Sequence, residues 1–587
     1  MKYFKNIIYL LSPQELKNFF LLLAMIIIMA FLDMLGVASI LPFVAVLTNP
    51  NLIETNIFLI KIFEISKIFG IKSNEEFLFV LGTFVFIFLI ISLIFKSITL
   101  YAQVRFTQMR QYSISKRLIE GYLHQPYSWF LSQNRADLGK TILSEVDEII
   151  AYSLKPVLEI ISKSAIVLTI ITLLILVDPK IAIASGIFIF MTYGIIFYCL
   201  KNLLAKLGSE RLKNNEIRFR TVGEAFGAAK EVKISGLEKS FIRLFSITAE
   251  IIARNIAKSE AIGILPRFIL ETIAIGGILI LILITTTSSG NINLVIPILS
   301  LYLFAAYRLM PAIQQIYMSF TRLKFASPTL DKVINDLKNL KPKNINLKQE
   351  NLKFSKKICL NNVYYNYPNS ERTVLKNINL SIFKNSCVGF IGQTGCGKTT
   401  IIDIILGLLD PQKGTLEIDE QIITEQKKRS WQRSIGYVPQ QIFLSDNTIE
   451  ANIAFGVEPK EINHDLVKKV SKIANLYEFI EGELPDQYKT NVGDHGIKLS
   501  GGQRQRIGIA RALYHNPEVL IFDEATSALD NETEKVVMDA IYKLRKDLTI
   551  ILIAHRLNTL KNCDIVFKLD KGRLIKQGKY NEFIKSS

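Results

Sequence analysis

Apolar and polar positions divide this chain into two parts of different rhythm. Up to about residue 320 the apolar residues gather into six stretches, at 18–48, 77–100, 157–177, 181–199, 264–285 and 293–320. Each is long enough, or nearly so, to cross about 30 Å of hydrocarbon as a helix. The polar connections 101–156 and 200–263 keep a helical look, which predicts membrane helices that continue past the bilayer as two long hairpins. Their tips fall at "PYSWFLSQNRADLGK" (126–140) and "GEAFGAAKEVK" (223–233). Residues 331–356 are rich in Lys and Asn, lack an apolar pattern and read as a linker. Beyond them, short β-rich runs alternate with helical segments, the pattern of an α/β domain. The expected division is a six-span α-helical membrane domain at 1–330, a linker at 331–356 and a cytosolic α/β domain at 357–587.

Composition agrees with a chain partly in lipid: 587 residues, 50% hydrophobic, mean hydropathy +0.29. The formal charge of +18 is placed by topology. Connections 101–156 and 200–263 hold 7 and 12 lysines and arginines, whereas 49–76, 178–180 and 286–292 hold 3, 1 and 0. The positive-inside rule puts the long basic connections and both termini in the cytoplasm. The opening "MKYFKNIIYLLSPQELKNFF" reads as a retained, start-inside anchor. With the charge so explained, and no aromatic and basic stacking surface or zinc finger, nucleic acid is not an expected partner. Five scattered cysteines without CxxC spacing imply neither a disulfide framework nor a zinc site.

The α/β domain carries the clearest chemistry. "VGFIGQTGCGKTTIIDIILGLL" runs from a β-like stretch through a glycine-rich loop into a helix. Gly392, Gln393, Thr394, Gly395, Cys396, Gly397, Lys398 and Thr399, followed by Thr400, fit G-x-x-x-x-G-K-[ST]. The glycines let backbone N–H groups surround phosphates and the helix N-terminus adds its dipole. Lys398 reaches the β- and γ-phosphates, and Thr399 offers its hydroxyl to Mg²⁺. In "EVLIFDEATSALD" a buried strand ends in Asp523, suited to the metal, and Glu524, suited to polarising an attacking water. A further apolar strand, "TIILIAHRL", ends in His555, within expected reach of a γ-phosphate.

Between these motifs stands "LSGGQRQRIGIARAL" (499–513). "LSGGQ" opening a helix, together with the two phosphate motifs, resembles the ATP-binding cassette (ABC) family over about residues 357–587. The resemblance implies an α/β P-loop cassette fused to a six-helix exporter-type membrane domain, with ATP and Mg²⁺ as cofactors. It assigns Tyr367 of "YYNYP" to adenine stacking, Gln440 of "GYVPQQ" to the Q-loop, where it joins Thr399 and Asp523 at the metal, Asp530 to the D-loop and His555 to the switch. Ser500, Gly501, Gly502 and Gln503 would bind the γ-phosphate held by a second subunit. One intact cassette per chain then implies a homodimer, with a heterodimer as the alternative. Asp494 stands where a glutamate is more usual. Membrane domain before cassette on one chain implies a half-transporter exporter, with the hairpin tips as coupling helices.

Three basic residues stand out inside the spans: Lys96, Arg267 and Arg308, the last within "SLYLFAAYRLMPAIQQIYMSF" (300–320). At about 1.5 Å per residue, Lys96 lies some 28 Å and Arg308 some 23 Å from the outer end, and Arg267 lies near the cytoplasmic face. A cavity with cations in its inner half suits an anionic headgroup, above all a diphosphate. Without such a ligand, Arg308 would need a buried acid such as Asp33 or Glu271. "FLDMLGVASILPFVAVLTNP", "QPYSWFLSQNRADLGK" and "YRLMPAIQQI" resemble segments of bacterial exporters that flip polyprenyl-diphosphate-linked oligosaccharides. An amphipathic external segment, "IFLIKIFEISKIFG" (57–70), suits the outer leaflet and a polyprenyl tail. The resulting expectation is a flippase of lipid-linked oligosaccharide in a bacterial inner membrane. An exporter of another lipid, a peptide or a drug is the runner-up, and an ATP-dependent regulator that moves nothing is a third class.

Overall fold

The computed structural model describes all residues except 1, 49–52, 54–58, 62, 65–72, 178, 270, 273–274, 277–278, 280–291, 341–351, 369, 371, 525–529, 555–556 and 585–587. The chain forms two compact units: Met1–Gln125 with Gln133–Lys343, and Pro126–Ser132 with Asn344–Ser587.

The first unit is helical. In "SPQE", Ser12 and Glu15 form a reciprocal capping box with Pro13 in the first turn, which starts the helix Pro13–Ala38. In "SNEE", Ser73 and Glu76 start Asn74–Leu123 in the same way. That helix has 50 residues, and Pro179–Gly227 and Ile292–Asn339 have 49 and 48. At about 1.5 Å per residue each is about 70 Å long, more than twice the hydrocarbon thickness, so the spans do continue as polar extensions. Among the described residues, Pro13–Thr48, Asn74–Leu123 and Arg135–Val177 are long and apolar enough to cross a membrane. The fourth and sixth predicted spans lie on Pro179–Gly227 and Ile292–Asn339. Half of the fifth, 264–285, and most of the external segment 57–70 lie outside the described residues. Phe79, Phe84, Leu176 and Phe190 are exposed on these helices, the surface that acyl chains would cover.

Residues 331–339, at the start of the expected linker, are instead the last turns of Ile292–Asn339. The reason is Leu330, Val333 and Ile334, all buried at helical spacing among the lysines and asparagines. The first hairpin tip carries a short helix, Tyr127–Phe130, and the second the helix Ala229–Ser235, closed by Gly236 in the left-handed region. Two π-helical stretches, Thr141–Glu145 and Ile150–Leu154, flank a tight ion pair: Arg211 lies 2.9 Å from both Glu145 and Glu148.

The second unit is α/β. Its strands are β1 Lys357–Asn366, β2 Thr373–Phe383, β3 Cys387–Gly392, β4 Lys413–Ile418, β5 Gln421–Ile422, β6 Ile435–Val438, β7 Val519–Asp523, β8 Thr549–Ile553, β9 Ile565–Asp570 and β10 Arg573–Gly578. One sheet has the order β2-β1-β4-β5 and is antiparallel. The other has the order β10-β9-β3-β8-β7-β6, and β9, β3, β8, β7 and β6 are mutually parallel. Every residue of β7 and β8 is buried, as continuous apolar runs between covering layers should be. Because the central strands are parallel, the ends of β3, β6, β7 and β8 meet at one edge, where open α/β sheets bind ligands.

Two helices approach closely at Gly208, where a Cβ would sit 1.8 Å from the carbonyl oxygen of Phe325 on the helix Ile292–Asn339. Gly208→Ala is therefore expected to push these two helices apart and cost about 1–3 kcal/mol. Thermal unfolding of the purified full-length protein checks this, and an unchanged melting temperature would contradict the contact.

Candidate functional site

β3 delivers the glycine-rich loop to the sheet edge. A Cβ on Gly392 would lie 2.3 Å from the carbonyl oxygen of Leu569 and 2.7 Å from Sγ of Cys396, so no side chain fits there. Gly397 has φ 105° and is the N-cap of the helix Lys398–Ile405. The result is a cradle of backbone at a helix N-terminus, with Gln393, Thr394, Gly395 and Thr399 exposed and Cys396, Lys398 and Thr400 buried. Lys398 Nζ donates to the carbonyls of Gly392 at 2.8 Å and Gln393 at 3.2 Å. Its ammonium is thereby held across the loop mouth. The donor set and the space left by the glycines fit a polyphosphate.

At the ends of β7 and β6 the remaining groups gather. Asp523 is buried, and Tyr437 Oη donates to its Oδ2 at 3.3 Å. Gln440 Nε2 donates to Glu524 Oε2 at 2.7 Å, so the Q-loop amide and the candidate water-polarising acid are in direct contact. Glu524 has φ 54°, a left-handed conformation that costs a non-glycine residue of order 1–3 kcal/mol. The strain sits where the chain leaves the strand and turns a carboxylate toward the loop edge. Tyr367 Oη lies 3.0 Å from Thr400 Oγ1, which fixes the ring beside the phosphate-loop helix. An acid, a carboxylate-holding amide, a lysine and a hydroxyl around one cradle are the parts needed to bind a metal-bound phosphate chain and direct water at it.

Two expected members stand apart from this group. Ser500 caps its own helix, accepting from the N–H of Gln503 at 3.2 Å while its own N–H donates to Gln503 Oε1 at 2.8 Å. It is exposed, with Gly501 and Gly502 in the first turn behind it. Asp530 caps Asn531–Lys543, and the N–H of Thr533 holds its carboxyl below the usual carboxylate range. His555 lies outside the described residues.

Sequence reasoning missed Asp403. It lies on the phosphate-loop helix, one turn past Thr399, and is buried. Burial, and after it the charge of Asp523, pushes its carboxyl up to about 6. Its charge is visible in the sequence, but its nearness to Asp523 follows only from the packing of that helix against the parallel sheet.

In the first unit the three expected cations do not form one cluster. Lys96 Nζ lies 3.6 Å from Asp33 Oδ2, and Arg308 Nη1 lies 3.5 Å from Asp33 Oδ1. Arg267 pairs instead with Glu271, one helical turn on, and lines a cavity of about 260 Å³ with Tyr193, Met310, Pro311, Gln314, Gln315 and Met318. The structure adds Lys163 and Glu159, two charges inside the 157–177 stretch that the reading of that span passed over. Lys163 interacts electrostatically with Lys96, Asp33, Glu159 and Arg308. Glu159 Oε2 accepts from Gln315 Nε2 at 2.7 Å and Ser319 Oγ at 3.0 Å.

A phosphate cradle beside a strand ending in two acids, on the same chain as helices of membrane-crossing length, defines a membrane protein powered by ATP hydrolysis. Residues 375–527 match the profile of the family described as "ABC transporter", and residues 40–307 that described as "ABC transporter transmembrane region". The chain belongs to the ABC transporters, as an exporter half-transporter that hydrolyses ATP. It is 29% identical to the "ATP-dependent lipid A-core flippase" of Cupriavidus metallidurans over 80% of this chain and 78% of that protein. It is 34% identical to the "Heterocyst differentiation ATP-binding protein HepA" of Nostoc sp. over 62% of this chain, though only 58% of that protein. Against the "ATP-dependent lipid A-core flippase" of Francisella novicida the identity is 44%, over 36% of each chain. The fold matches "Structure of a bacterial Atm1-family ABC exporter with ATP bound", with a TM-score of 0.78 over 96% of both chains at 21% identity.

The raised Asp403 carboxyl gives a pH signature. Folded, it keeps its proton to a higher pH than the unfolded value of 3.8, so its contribution to stability is full below about pH 4 and is lost as pH rises through about 6. Asp403→Asn is expected to flatten that part of the melting-temperature profile of the full-length protein. A slope identical to the parent's would contradict the placement of this acid.

Proposed function

We propose that the protein is an ATP-driven flippase that moves a polyprenyl-diphosphate-linked oligosaccharide from the cytoplasmic to the outer leaflet of a bacterial inner membrane. It works as a homodimer with the cassettes in the cytoplasm. Arg308 has the buried partner Asp33 that the sequence reading named as the alternative to a ligand, and the observation that carries the substrate reading is that Lys96 and Arg308, two cations on this one carboxylate, keep side chains 33% and 24% exposed. A site that gathers cations at that depth favours an anionic headgroup and repels a cationic drug. Arg308 also offers a planar fork for two phosphate oxygens. The relatives named lipid A-core flippases favour a second reading, in which another anionic glycolipid is the cargo.

In the cassette, Lys398 and the N–H groups of the loop bind and orient the phosphates. Thr399, Asp523 and Gln440 are the residues that would hold Mg²⁺, which when bound neutralises charge on those phosphates. Glu524, steadied by Gln440, accepts hydrogen-bonded water and directs it at the γ-phosphate, with His555 as its companion. Tyr367 stacks on the adenine. The exposed Ser500, with the glycines behind it, serves the loop of the second subunit, and Asp530 follows along the same interface. Closure of two cassettes on nucleotide then moves the long helices by way of the tips at 126–140 and 223–233.

Glu524→Gln is expected to keep ATP binding and lose turnover by about 10²-fold or more, because the phosphate ligands remain while the water-polarising group is gone. ATPase assay with nucleotide-binding measurement checks this, and near-parental turnover would contradict the role.

The substrate reading is tested by Arg308→Ala and by the triple neutral variant at Lys96, Arg267 and Arg308. Both should reach the membrane and dimerise, yet fail to move a fluorescent diphosphate-linked glycan in proteoliposomes. Arg308→Lys should retain part of the rate, since charge survives without the fork. Flipping by the triple variant at the parent's rate would rule the reading out.

A further inference from the structure

The ion pairs of Asp33 differ from the buried Arg211 pairs in the same unit. Arg211 meets Glu145 and Glu148 at 2.9 Å, with the side chains of Arg211 and Glu145 7% and 0% exposed. Those pairs are closed. Asp33 meets Lys96 and Arg308 only at 3.6 and 3.5 Å, beyond good hydrogen-bond length, and Ser92 Oγ is also 3.5 Å away. Its own side chain is 2% exposed, while those of Lys96 and Arg308 are 33% and 24% exposed. The acid thus sits behind, and the two cations present a face. Three helices supply the three groups: Pro13–Ala38, Asn74–Leu123 and Ile292–Asn339.

Among the described residues, Asp33 is one carboxylate against two cations, Lys96 and Arg308. Glu159 is already engaged by Gln315 and Ser319, which leaves Asp33 as the carboxylate shared by Lys96 and Arg308. Water is a poor counter-ion at this depth, so the cations are held in place by an anion that belongs to the protein.

We infer that Asp33 is an exchangeable internal counter-ion: it holds Lys96 and Arg308 when no ligand is bound and yields them to the phosphate oxygens of an anionic lipid headgroup. This rests on the proposed anionic substrate and adds how the site lets go of it. An incoming phosphate group must outcompete the resident carboxylate, which favours a doubly charged diphosphate over a singly charged phosphodiester. As the headgroup leaves, the pairs with Asp33 re-form, so no bare cation is left in the membrane. Affinity is thereby kept moderate and release kept fast. Asp33 is a positioning and specificity residue that acts through Lys96 and Arg308.

The test uses full-length protein in nanodiscs of zwitterionic lipid. Probes are a short polyprenyl diphosphate, the matching polyprenol and inorganic pyrophosphate. Asp33→Asn is expected to bind both diphosphates about tenfold more tightly, to bind the polyprenol as before, and to flip a diphosphate lipid more slowly at saturation. Asp33→Glu, which keeps the charge, should restore the parent's affinity. Unchanged or weaker diphosphate binding by folded Asp33→Asn would overturn the inference and mark Asp33 as a structural partner. If Asp33→Asn does not fold, the double variant Asp33→Asn, Lys96→Met removes one charge of each sign. Affinity at or above the parent's then supports the exchange, and a severalfold loss overturns it. Tightening toward inorganic pyrophosphate in a protein that flips no polyprenyl-linked glycan would sink the substrate reading and leave the counter-ion role standing. The reverse result, parental flipping without tightening, would sink the counter-ion role alone.

Discussion

A charge within an apolar span must be met by another charge or by water, and the membrane half of this protein answers that constraint at Asp33. The carboxylate draws Lys96 and Arg308 from two other helices to one place. Without it, each cation would pay desolvation alone, at least about 2.5–3.5 kcal/mol on insertion scales. Two cations then share one carboxylate, which is the arrangement on which the proposed anionic substrate rests.

The cassette applies the converse logic. Its phosphate site is mostly backbone, and the glycines matter for what they leave out, as the missing Cβ of Gly392 shows. Parallel strands carry Lys398, Gln440, Asp523 and Glu524 to one edge, and the strained turn at Glu524 points its carboxylate at Gln440. In the first unit the helices run to 48–50 residues, and two of them approach closely at Gly208.

Much of this was legible in the sequence because the motifs are contiguous. The phosphate loop, the acids at the end of β7 and the "LSGGQ" cap are each written within a dozen residues, and local geometry does the rest. What was not legible depends on packing between distant positions. Gln440 and Glu524 are 84 residues apart and meet because β6 and β7 are neighbours in the sheet. Asp403 nears Asp523 only once its helix lies on that sheet. Arg267 was grouped with Lys96 and Arg308 as a cation of the inner half, yet Glu271, one helical turn on, takes it. Lys163 was readable as a charge in a span, and only its neighbours show what company it keeps. The end of the sixth helix was hidden by composition, since lysines and asparagines outnumber the buried Leu330, Val333 and Ile334 that hold it.

The central claim is that Lys96 and Arg308 receive the phosphates of a lipid headgroup. Lys96 is the more exposed of the two and carries an amine that can be tagged. The most direct measurement is its rate of modification by an amine-reactive reagent, read by mass spectrometry in nucleotide-free protein, with polyprenyl diphosphate or polyprenol present. The account predicts that the diphosphate slows labelling of Lys96 and that the uncharged polyprenol leaves it unchanged. Equal labelling with both lipids would contradict it.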